Sequence, residues 1–440
     1  MGSMRNALLL LFTLAQIAAG LRVTIRLVRT ARGTRIQRSV TPSPCELVTV
    51  VVPVLDERQR LMPCLEGLMA QPAEVQEILV VDGGSQDGTQ ALVRAAAECD
   101  ARIRLLDAAP IPADWNGKAH GLQTGLLQAD PRTTWILTID ADVRPQPDLV
   151  RSLLAHVRRS GVALQGVATR QVVAGATDAL LHPALLTTLV YRHGIPGHNT
   201  TRLHDVQANG QCSLFRREPL ERLGGFAVAR DSRCEDVTMA RTLARAGHPV
   251  GFHEAGGLVE TAMYGDWHDM WRNWPRSLTL RDRYWGPDGW LRLAEVTLAQ
   301  GLPLAVLVIG SVPFPGRPHS QAKDFVLEEH QARGEALDPP VHCPVLRSGG
   351  PESFACERGS FLSGAAQGGR WLRAVNIVLF AMRLGILAGT RRAYRQPPAA
   401  YWLSPIVDLP VSLRLWQSAL QRSRTWRGRT LVPEDVWSVS

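Results

Sequence analysis

TWILTIDAD, residues 134–142, is an apolar, β-branched run that ends abruptly in two carboxylates, Asp140 and Asp142. Such a run predicts a buried strand. Side chains two positions apart in a strand point to the same side, so we expect both carboxylates to converge at the carboxyl edge of a sheet. Open α/β sheets bind ligands at that edge, and converging carboxylates repel each other unless a cation or a proton lies between them. The run therefore predicts a hard divalent metal ion that holds a diphosphate.

The pattern on either side of this run alternates between strands and helices, which predicts a parallel, Rossmann-like sheet. The chain has no GxGxxG motif, so a nicotinamide or flavin dinucleotide is not expected. The predicted strands are 46–54, 77–82, 102–106 and 135–140, with further strands at 162–169 and 250–254. The predicted helices are 57–70, one that ends near Cys99, 117–129, 177–191, 217–223, 235–246 and 266–282.

The composition favours a membrane-associated enzyme. The chain has 440 residues, 45% hydrophobic residues and a net charge of +9. Much of the excess charge is arginine that flanks apolar segments, which favours an anionic membrane surface over nucleic acid. The sequence carries no zinc finger, basic zipper or RRM-type signature, so nucleic acid is not an expected partner.

The N-terminus carries an apolar run at 7–21, which 23–28 can extend if Arg22 and Arg26 snorkel. A signal peptide is the competing interpretation, but it requires basic residues before the run and a small-residue cleavage site. Here Arg5 alone precedes the run and a series of arginines follows it. We therefore expect an uncleaved membrane anchor, and the positive-inside rule predicts that everything after residue 22 lies in the cytoplasm.

Three more apolar segments lie near the C-terminus. Residues 296–312 look like a span interrupted at Pro303, 374–389 can span or lie in the interface, and 401–416 are typical of an interfacial segment. The predicted organisation is an anchor at 1–30, an α/β catalytic domain at 46–285, a membrane helix at 291–312, an irregular or disordered segment at 313–369, membrane-associated helices at 370–420 and a basic tail at 421–440.

Four short acidic segments line up with this predicted sheet. They are PVLDE at 53–57, DGGSQDGT at 82–89, the pair within 140–142, and RCEDV at 233–237. Each of the first three follows the carboxyl end of a strand, so all three can face one crevice. Any one of them alone is weak evidence, whereas together and in this order they are strong.

With these segments in place, the chain resembles the inverting GT-A glycosyltransferases of the family that includes the cellulose, hyaluronan and dolichyl-phosphate-sugar synthases. The resemblance covers roughly residues 46–285. It looks closest to the bacterial membrane-bound hopanoid-associated and carotenoid glycosyltransferases, on the strength of WNGKA at 115–119 and the Arg- and Trp-rich stretch at 271–285. It implies a GT-A fold with a mostly parallel sheet, and membrane helices at both ends.

The resemblance assigns the donor half of the site. It places Pro53, Glu57 and Asp82 around the nucleoside, Asp140 on the ribose or sugar, and Asp142 on Mg²⁺ or Mn²⁺. A carboxylate such as Asp82 can accept the N3–H of uracil, which makes a UDP-sugar the expected donor. The alternatives are structural: Asp82 can form a turn, Glu57 can be a helix N-terminal acid, and the pair after the fourth strand can be solvated.

The resemblance also assigns the remaining charged groups. Asp236 resembles the catalytic base of the family's ED motif, and Glu235 beside it can raise the pKa of that base. Lys118 opens a predicted helix, where its ammonium can meet a diphosphate together with helix N-terminal amides. A helix-start acidic pair and a solvated surface lysine are the alternatives.

The acceptor side is represented by two segments. Gly210 and Gln211 lie in NGQC at 209–212, which resembles the family's acceptor-side glycine segment. Arg272 and Trp274 fall where processive relatives carry a QxxRW motif, which this chain lacks. A single sugar transfer is therefore favoured over polymer synthesis. The alternative for this cluster is anchoring at the membrane interface.

The leading hypothesis is transfer of a sugar from a UDP-sugar to a hydroxyl of a membrane lipid such as a carotenoid or hopanoid. The nearest rival is a polyprenyl-phosphate glycosyltransferase, which needs a cationic site for the acceptor phosphate. A catalytically silent membrane scaffold would lack one of the acids. A nucleotidyltransferase of similar fold would need a Gly-rich, basic loop after strand one, where this chain has Leu55-Asp56-Glu57.

Overall fold

The computed structural model of the chain describes residues 2–43, 45–173, 175–262, 267–311, 352–421, 424–426 and 429–431. Its helices are α1 (Gly2–Thr30), α2 (Leu61–Met69), α3 (Thr89–Cys99), α4 (Gly117–Gln128), α5 (Leu149–Ser160), α6 (Ala176–His193), α7 (Arg217–Arg222), α8 (Glu235–Arg245), α9 (Trp267–Leu278), α10 (Pro287–Val296), α11 (Pro303–Ile309), α12 (Glu352–Thr390) and α13 (Asp408–Leu420). The strands are β1 (Val48–Val54), β2 (Val75–Asp82), β3 (Ile103–Asp107), β4 (Trp135–Ile139), β5 (Val143–Pro145), β6 (Leu164–Ala168), β7 (Arg170–Gln171), β8 (His198–Thr200), β9 (Cys212–Arg216), β10 (Val250–Glu254), β11 (Val259–Thr261), β12 (Arg424–Trp426) and β13 (Arg429–Leu431).

The central sheet has eight strands in the order β3-β2-β1-β4-β9-β6-β10-β8. Strands β1, β2, β3 and β4 run parallel to their neighbours within this group, whereas β9 runs antiparallel to both β4 and β6. Short strands β5, β11 and β7 form a second sheet of three. The predicted mostly parallel α/β sheet is therefore confirmed.

Alternate residues of β1 enter two different cores, as the two-residue period of a strand requires. Val50 and Val52 pack on one face of the sheet with α2 and α5, and Val51 packs on the other face with α4 and α8. Gly125 of α4 allows a close approach here, because a Cβ at that position would lie 2.4 Å from Val51 Cγ1. Burial on both faces explains why β1, β2 and β4 are nearly continuous apolar runs.

Two helices, α1 and α12, are long and apolar enough to cross a membrane, over Met4–Thr30 and Gly369–Ala393. They lie side by side and run parallel, because residues further along α1 contact residues further along α12. Gln16 and Asn376 exchange side-chain hydrogen bonds of 2.9 Å. Further along, Thr24 Oγ1 donates to Met382 Sδ at 3.6 Å. The 29 residues of α1 extend about 43 Å, which exceeds the thickness of a bilayer core.

The segment predicted as an interrupted span is bent where Pro303 was expected to break it. Helices α10 and α11 meet at an angle of 41° across this break, with a π-helical turn over Thr297–Gly301 on its N-terminal side. The pair runs antiparallel to α1, as two contacts show. Gln16 Nε2 of α1 donates to the carbonyl oxygen of Leu298 at 3.1 Å. Arg26, further toward the C-terminus of α1, pairs at 2.8 Å with Glu295, which precedes Leu298 in the sequence. The bent pair counts as one further candidate span.

Part of the segment predicted to be irregular is helical. Helix α12 begins at Glu352, so residues 352–369 continue the helix that was expected to start near residue 370. Residues 313–351 lie outside the described residues. In the basic tail, β12 and β13 pair antiparallel, and the remaining tail residues from 422 onward also lie outside the described part of the chain. The segment 401–416, which was predicted to be interfacial, is folded as a 3₁₀ stretch over Ala399–Val407 followed by α13.

Candidate active site

The carboxyl ends of β1, β2 and β4 lie next to one another, because these strands are parallel neighbours. Asp82 is in register with Val54 of β1 and with Asp107 of β3. Val51 of β1 is in register with Thr138 of β4, so the loop after each strand leaves the same edge of the sheet. The acidic segments predicted to share one crevice are therefore adjacent.

Asp82 is buried and builds the turn that follows β2. Its carboxylate accepts hydrogen bonds from the backbone N–H of Gly84 at 3.1 Å, from the backbone and hydroxyl of Ser85, and from Gln90 Nε2 at 2.7 Å. Gly84 has a φ of 100°, a left-handed conformation that favours glycine. In this structure Asp82 thus forms the turn after β2, and its predicted contact with the uracil ring of the donor stays a prediction.

The loop after β1 is tied to the loop after β2 by reciprocal hydrogen bonds. Asp56 Oδ1 accepts from the N–H of Gln86 at 2.8 Å, and the N–H of Glu57 donates to Thr89 Oγ1 at 2.9 Å. The Glu57 carboxylate pairs with Arg60 at 3.2 Å. Pro53 lies within β1 itself, half-buried, where Gly121 of α4 approaches it. These ties fix the floor of the crevice before any ligand binds.

Asp140 and Asp142 follow the strand and do not belong to it, since β4 ends at Ile139. The expectation that strand geometry aligns the two carboxylates is therefore wrong: a turn between β4 and β5 brings them together. Their partners differ. Asp140 pairs with Lys118, whereas Asp142 Oδ1 is buried and has no hydrogen-bond partner among the described residues. Burial, followed by the charge of Asp140, raises the pKa of Asp142 to about 7.

Lys118 is the centre of the charged cluster. Its Nζ lies 2.7 Å from Asp140 Oδ1, 3.0 Å from Glu235 Oε1 and 3.3 Å from the carbonyl oxygen of Gly210. Burial alone would lower the pKa of this ammonium, but the charges of Asp140 and Glu235 outweigh that effect and raise it. Lys118 is therefore charged and joins the acid after β4 to the acids of α8.

Helix capping holds Lys118 in this place. The Asn116 side chain accepts from the Lys118 N–H at 2.9 Å, as an N-cap residue does, and donates to the carbonyl of Ser232 at 2.8 Å. Ser232 lies just before α8, so the start of α4 is fastened to the start of α8. The first turn of α8 carries Glu235 and Asp236, in the position where the helix dipole favours carboxylates.

The Asp236 carboxylate is poised to accept a proton near neutral pH. Burial, then the adjacent charge of Glu235, raise its pKa to about 6, while its hydrogen bond from the Val237 N–H at 2.8 Å favours the ionised form. General bases work best with pKa values near the operating pH. The charge of Glu235 therefore raises the pKa of Asp236, as the sequence analysis predicts.

A divalent cation fits this edge of the crevice through Asp142. The unpartnered, buried Oδ1 of Asp142 is an oxygen of the kind that Mg²⁺ and Mn²⁺ prefer. Among the described residues, no three His, Cys, Asp or Glu side chains are grouped as a metal cage. The protein would therefore supply few ligands, which is the usual arrangement for a metal ion that is bound largely by substrate phosphates.

Asp236 lines a largely apolar cavity of about 190 Å³, whose described lining does not include Lys118, Asp140 or Glu235. One wall is a stripe of α6 that includes Leu186, Leu189 and Val190, and Trp274 of α9 and Phe252 of β10 also line it. Both candidate spans end beside it: Thr390 at the end of α12 is part of the lining, and Thr30 at the end of α1 accepts a hydrogen bond from the N–H of Ile195 at 2.9 Å. The cavity thus lies where the two candidate spans meet the catalytic domain.

The predicted acceptor-side residues fall into two groups. Gly210 and Gln211 border the cluster, since the Gly210 carbonyl accepts from Lys118 and the Gln211 carbonyl accepts from the Asp140 N–H at 3.0 Å. Trp274 lines the cavity and packs against the His182 ring at a centroid distance of 4.1 Å. Arg272 is exposed on α9 and is not part of the described lining.

Sequence reasoning missed two residues of this cavity, His182 and His193 of α6. Both are buried, in a helix whose sequence is otherwise mostly apolar. The available signal was their spacing, because positions three helical turns apart lie on one face of a helix.

The sheet, the acids at its carboxyl edge and the joined acid–lysine cluster form one candidate active site in a mostly parallel α/β domain. Residues 49–224 match the family model described as Glycosyl transferase family 2. This stretch of the chain is thus similar to the family 2 glycosyltransferases.

The chain is similar to several known proteins. It is 28% identical to "Glycosyltransferase AglE" of Haloferax volcanii over 64% of this chain and 86% of the relative. It is 33% identical to the undecaprenyl-phosphate 4-deoxy-4-formamido-L-arabinose transferase of Pseudomonas aeruginosa, over only 26% of this chain and 33% of that relative. Among solved structures, the mannosyltransferase PcManGT from Pyrobaculum calidifontis, in complex with GDP-Man and Mn²⁺, matches with a TM-score of 0.46 and 21% identity, over 86% of this chain and 98% of that chain.

Proposed function

We propose that this protein is a glycosyltransferase that moves a sugar, with inversion, from a nucleotide-diphosphate sugar, in particular a UDP-sugar, to a hydroxyl of a membrane lipid. One observation carries the proposal: Asp236 belongs both to the charged cluster around Lys118 and to the lining of the apolar cavity. A donor that binds at the cluster and a lipid that binds in the cavity would therefore meet at one carboxylate.

Each charged residue has a role in this reaction. Asp236 takes the proton of the acceptor hydroxyl while the acceptor oxygen forms a bond to C1 of the sugar. The bond between C1 and the diphosphate oxygen breaks, and the nucleoside diphosphate leaves with the electron pair. Lys118 faces the charge that develops on the diphosphate, since it lies next to Asp140 at the sheet edge. Glu235 raises the pKa of the base.

The metal ion belongs to the donor half. Asp142 would hold Mg²⁺ or Mn²⁺ through its unpartnered oxygen. Such an ion, when bound, stabilises the negative charge of the leaving diphosphate. Pro53, Glu57 and Asp82 would surround the nucleoside, because they lie at or after the ends of β1 and β2 beside the cluster.

The two candidate spans support a location at a membrane. Exposed apolar side chains cover α1, including Leu10, Leu14 and Leu21, as expected for a surface in contact with lipid. Arg22, Arg26 and the arginines beyond them lie at the end of α1 that joins the catalytic domain. By the positive-inside rule, the catalytic domain faces the cytoplasm, at the bacterial inner membrane. A hopanoid or a carotenoid is the acceptor that the subgroup resemblance implies.

A polyprenyl phosphate is the second candidate acceptor. It is favoured by the similarity to the undecaprenyl-phosphate transferase, which covers about a quarter of this chain. A silent scaffold is disfavoured, because Asp142, Asp236 and Lys118 are all present and lie around one crevice.

The test is sugar transfer by membranes that contain the full chain. We would incubate them with labelled UDP-glucose, UDP-galactose and GDP-mannose in the presence of Mg²⁺ and Mn²⁺, and then extract the lipids. The expected result is one labelled lipid from a UDP-sugar, which is lost with Asp236→Asn although UDP still binds. Absence of labelled lipid from all three donors would rule out the proposal, and loss of UDP binding in Asp236→Asn would overturn the assignment of the base.

A further inference from the structure

Two arginines beside the apolar cavity share a single carboxylate oxygen. Nε of Arg35 lies 3.1 Å from Oε2 of Glu254, and Nε of Arg392 lies 3.3 Å from the same oxygen atom. The side chains of these arginines are 47% and 50% exposed, whereas that of Glu254 is 18% exposed. Both guanidinium groups are therefore accessible to a ligand, while the carboxylate that holds them together lies beneath.

A second pair of arginines repeats this arrangement. Nη1 of Arg395 lies 3.1 Å from Oε2 of Glu260, and Nη1 of Arg170 lies 3.7 Å from the other oxygen of that carboxylate. The two arginine side chains are 57% and 35% exposed. Arg392 of the first pair is three residues from Arg395, so the two pairs are neighbours. One arginine of each pair, Arg392 or Arg170, belongs to the lining of the cavity.

Each pair carries a surplus of one positive charge, because two guanidinium groups face one carboxylate. A phosphodiester carries a single negative charge, so one phosphodiester balances one pair. The guanidinium group is also suited to this ligand, since its planar set of N–H donors matches the oxygens of a phosphate. The charge and the donor geometry of the pairs therefore fit a phosphodiester.

The arginine pairs lie on the side of the chain where both candidate spans end. Helices α1 and α12 run parallel, so their last residues, Thr30 and Thr390, lie toward the same side. Arg35 follows the end of α1 by five residues, and Arg392 follows the end of α12 by two. In a membrane, such positions lie at the level of the lipid headgroups, where cationic side chains meet anionic lipids.

Exposed apolar side chains lead up to the arginines along both candidate spans. Leu21, Ile25 and Val28 of α1 are 58%, 41% and 68% exposed, and Leu384 of α12 is 39% exposed. A lipid whose tails lie along these surfaces would bring its phosphate to the arginines. A free phosphate ion gains nothing from the apolar surfaces, so the combination of the two features favours a lipid.

We propose that the two arginine pairs beside the cavity bind the phosphodiester groups of anionic membrane lipids, one phosphate to each pair. In the first pair, both Nε atoms contact one oxygen of Glu254, so they are close enough together to contact two oxygens of one phosphate. Lipids bound in this way hold the catalytic domain against the membrane, with the cavity at headgroup level. The inference does not depend on the proposed function, because it concerns neither the donor nor the acceptor.

Lipid retention in native mass spectrometry tests the inference directly. The full chain is placed in nanodiscs of equimolar phosphatidylglycerol and phosphatidylcholine, which both contain a phosphodiester but differ in net charge. We expect the released protein to retain at least about fivefold more phosphatidylglycerol, the effect of one surface arginine or more. Arg35→Gln combined with Arg392→Gln should lower this ratio about two- to fivefold, because one of the two pairs is lost.

The matched control removes the same charge elsewhere on the surface. Arg132 and Arg222 are 72% and 68% exposed, each pairs with a carboxylate, and neither belongs to the described lining of the cavity. Arg132→Gln combined with Arg222→Gln should therefore leave the lipid ratio unchanged.

Two further variants separate lipid binding from folding. Arg35→Lys combined with Arg392→Lys retains both charges and should retain most of the preference for phosphatidylglycerol. Where the glutamine variant of this pair does not fold, Arg170→Gln combined with Arg395→Gln tests the second pair by the same ratio. The melting temperature of each variant reports whether it is folded.

Three results would overturn the inference. The first is equal retention of the two lipids by the wild type, and the second is a fall in the ratio that is as large in the control variant as in the folded variants of the arginine pairs. The third is loss of the preference when chloride is replaced by inorganic phosphate at equal ionic strength, which would reveal a site for soluble phosphate. Failure of the proposed function has a different signature, since no donor would then yield a labelled lipid while phosphatidylglycerol is still retained.

Discussion

The Nζ of Lys118 lies 2.7 Å from Oδ1 of Asp140, so a lysine at the start of α4 neutralises the first acid after β4. The same ammonium reaches Glu235, next to the proposed base Asp236, at 3.0 Å. The loop after β4 and the first turn of α8 are thereby joined. Asp142 Oδ1 has no such partner among the described residues, and we propose that it binds a cation.

Replacement of Lys118 should weaken donor binding. Lys118→Met removes the cation proposed to meet the diphosphate and leaves the charges of Asp140 and Glu235 without their common partner. Loss of one or two charge-assisted hydrogen bonds predicts that UDP affinity falls about 10- to 100-fold. Calorimetric titration with UDP measures this. Lys118→Arg retains the charge and serves as the control, and unchanged UDP affinity in Lys118→Met would remove Lys118 from the donor site.

The acidic limb of the pH–rate profile should report Asp236. The base acts when ionised and its pKa is raised to about 6, so kcat/KM should fall about tenfold per pH unit below pH 6 and level off above it. Glu235→Gln removes a negative neighbour that raises this pKa, so the limb should move to lower pH. Initial rates between pH 4.5 and 8 check both points. A limb that stays in place in Glu235→Gln would contradict the coupling.

A side chain at Gly210 should reduce activity without reducing the stability of the fold. A Cβ at this position would lie 2.6 Å from Lys118 Nζ, the flexible end of a side chain. Gly210→Ala should therefore displace the ammonium and lower kcat/KM by up to about 100-fold, with an unchanged melting temperature. Gly286→Ala is the matched control, because a Cβ there meets no atom within 4 Å. A loss of stability in Gly210→Ala would point to a structural role instead.

Asp142 should control metal binding in the presence of nucleotide. Asp142→Ala removes the unpartnered carboxylate oxygen and should weaken Mn²⁺ binding about tenfold or more in the presence of UDP. Electron paramagnetic resonance of free Mn²⁺ measures this without any catalytic turnover. Asp148→Ala, which alters an acid paired with Arg38 elsewhere, should have no effect. Equal Mn²⁺ affinity in the wild type and Asp142→Ala would refute the assignment.

The contact between the two candidate spans should show strong coupling. Gln16 and Asn376 are both fully buried and bond to each other. Gln16→Leu or Asn376→Leu alone leaves a polar partner unsatisfied and should cost about 1–2 kcal/mol of unfolding free energy. The double variant should lie near the wild type, since both polar groups are gone. Unfolding in detergent measures the cycle, and additive losses would contradict the pairing.

The sequence determined much of the α/β domain and of the donor half. The ends of β1, β2 and β4 were predicted to within two residues of their positions in the structure. Each of these strands is a continuous apolar run followed by acids, because a strand buried on both faces of a sheet contains few polar residues. The motif pattern also identified Lys118, Asp140 and Asp236, which the fold brings together.

Other features were decided by the tertiary structure alone. The turn after Ile139 gives Asp140 and Asp142 different partners, which strand periodicity could not reveal. The cavity is formed by helices distant in the sequence, and the exposure and pairing of His182 and His193 depend on that packing. The local pattern of apolar and polar residues predicts which residues are buried. The hydrogen-bond partner of a buried polar group depends on contacts between residues that are distant in the sequence. That is why the sequence located the acids at the edge of the sheet, whereas the apolar cavity beside Asp236 emerged only from the fold.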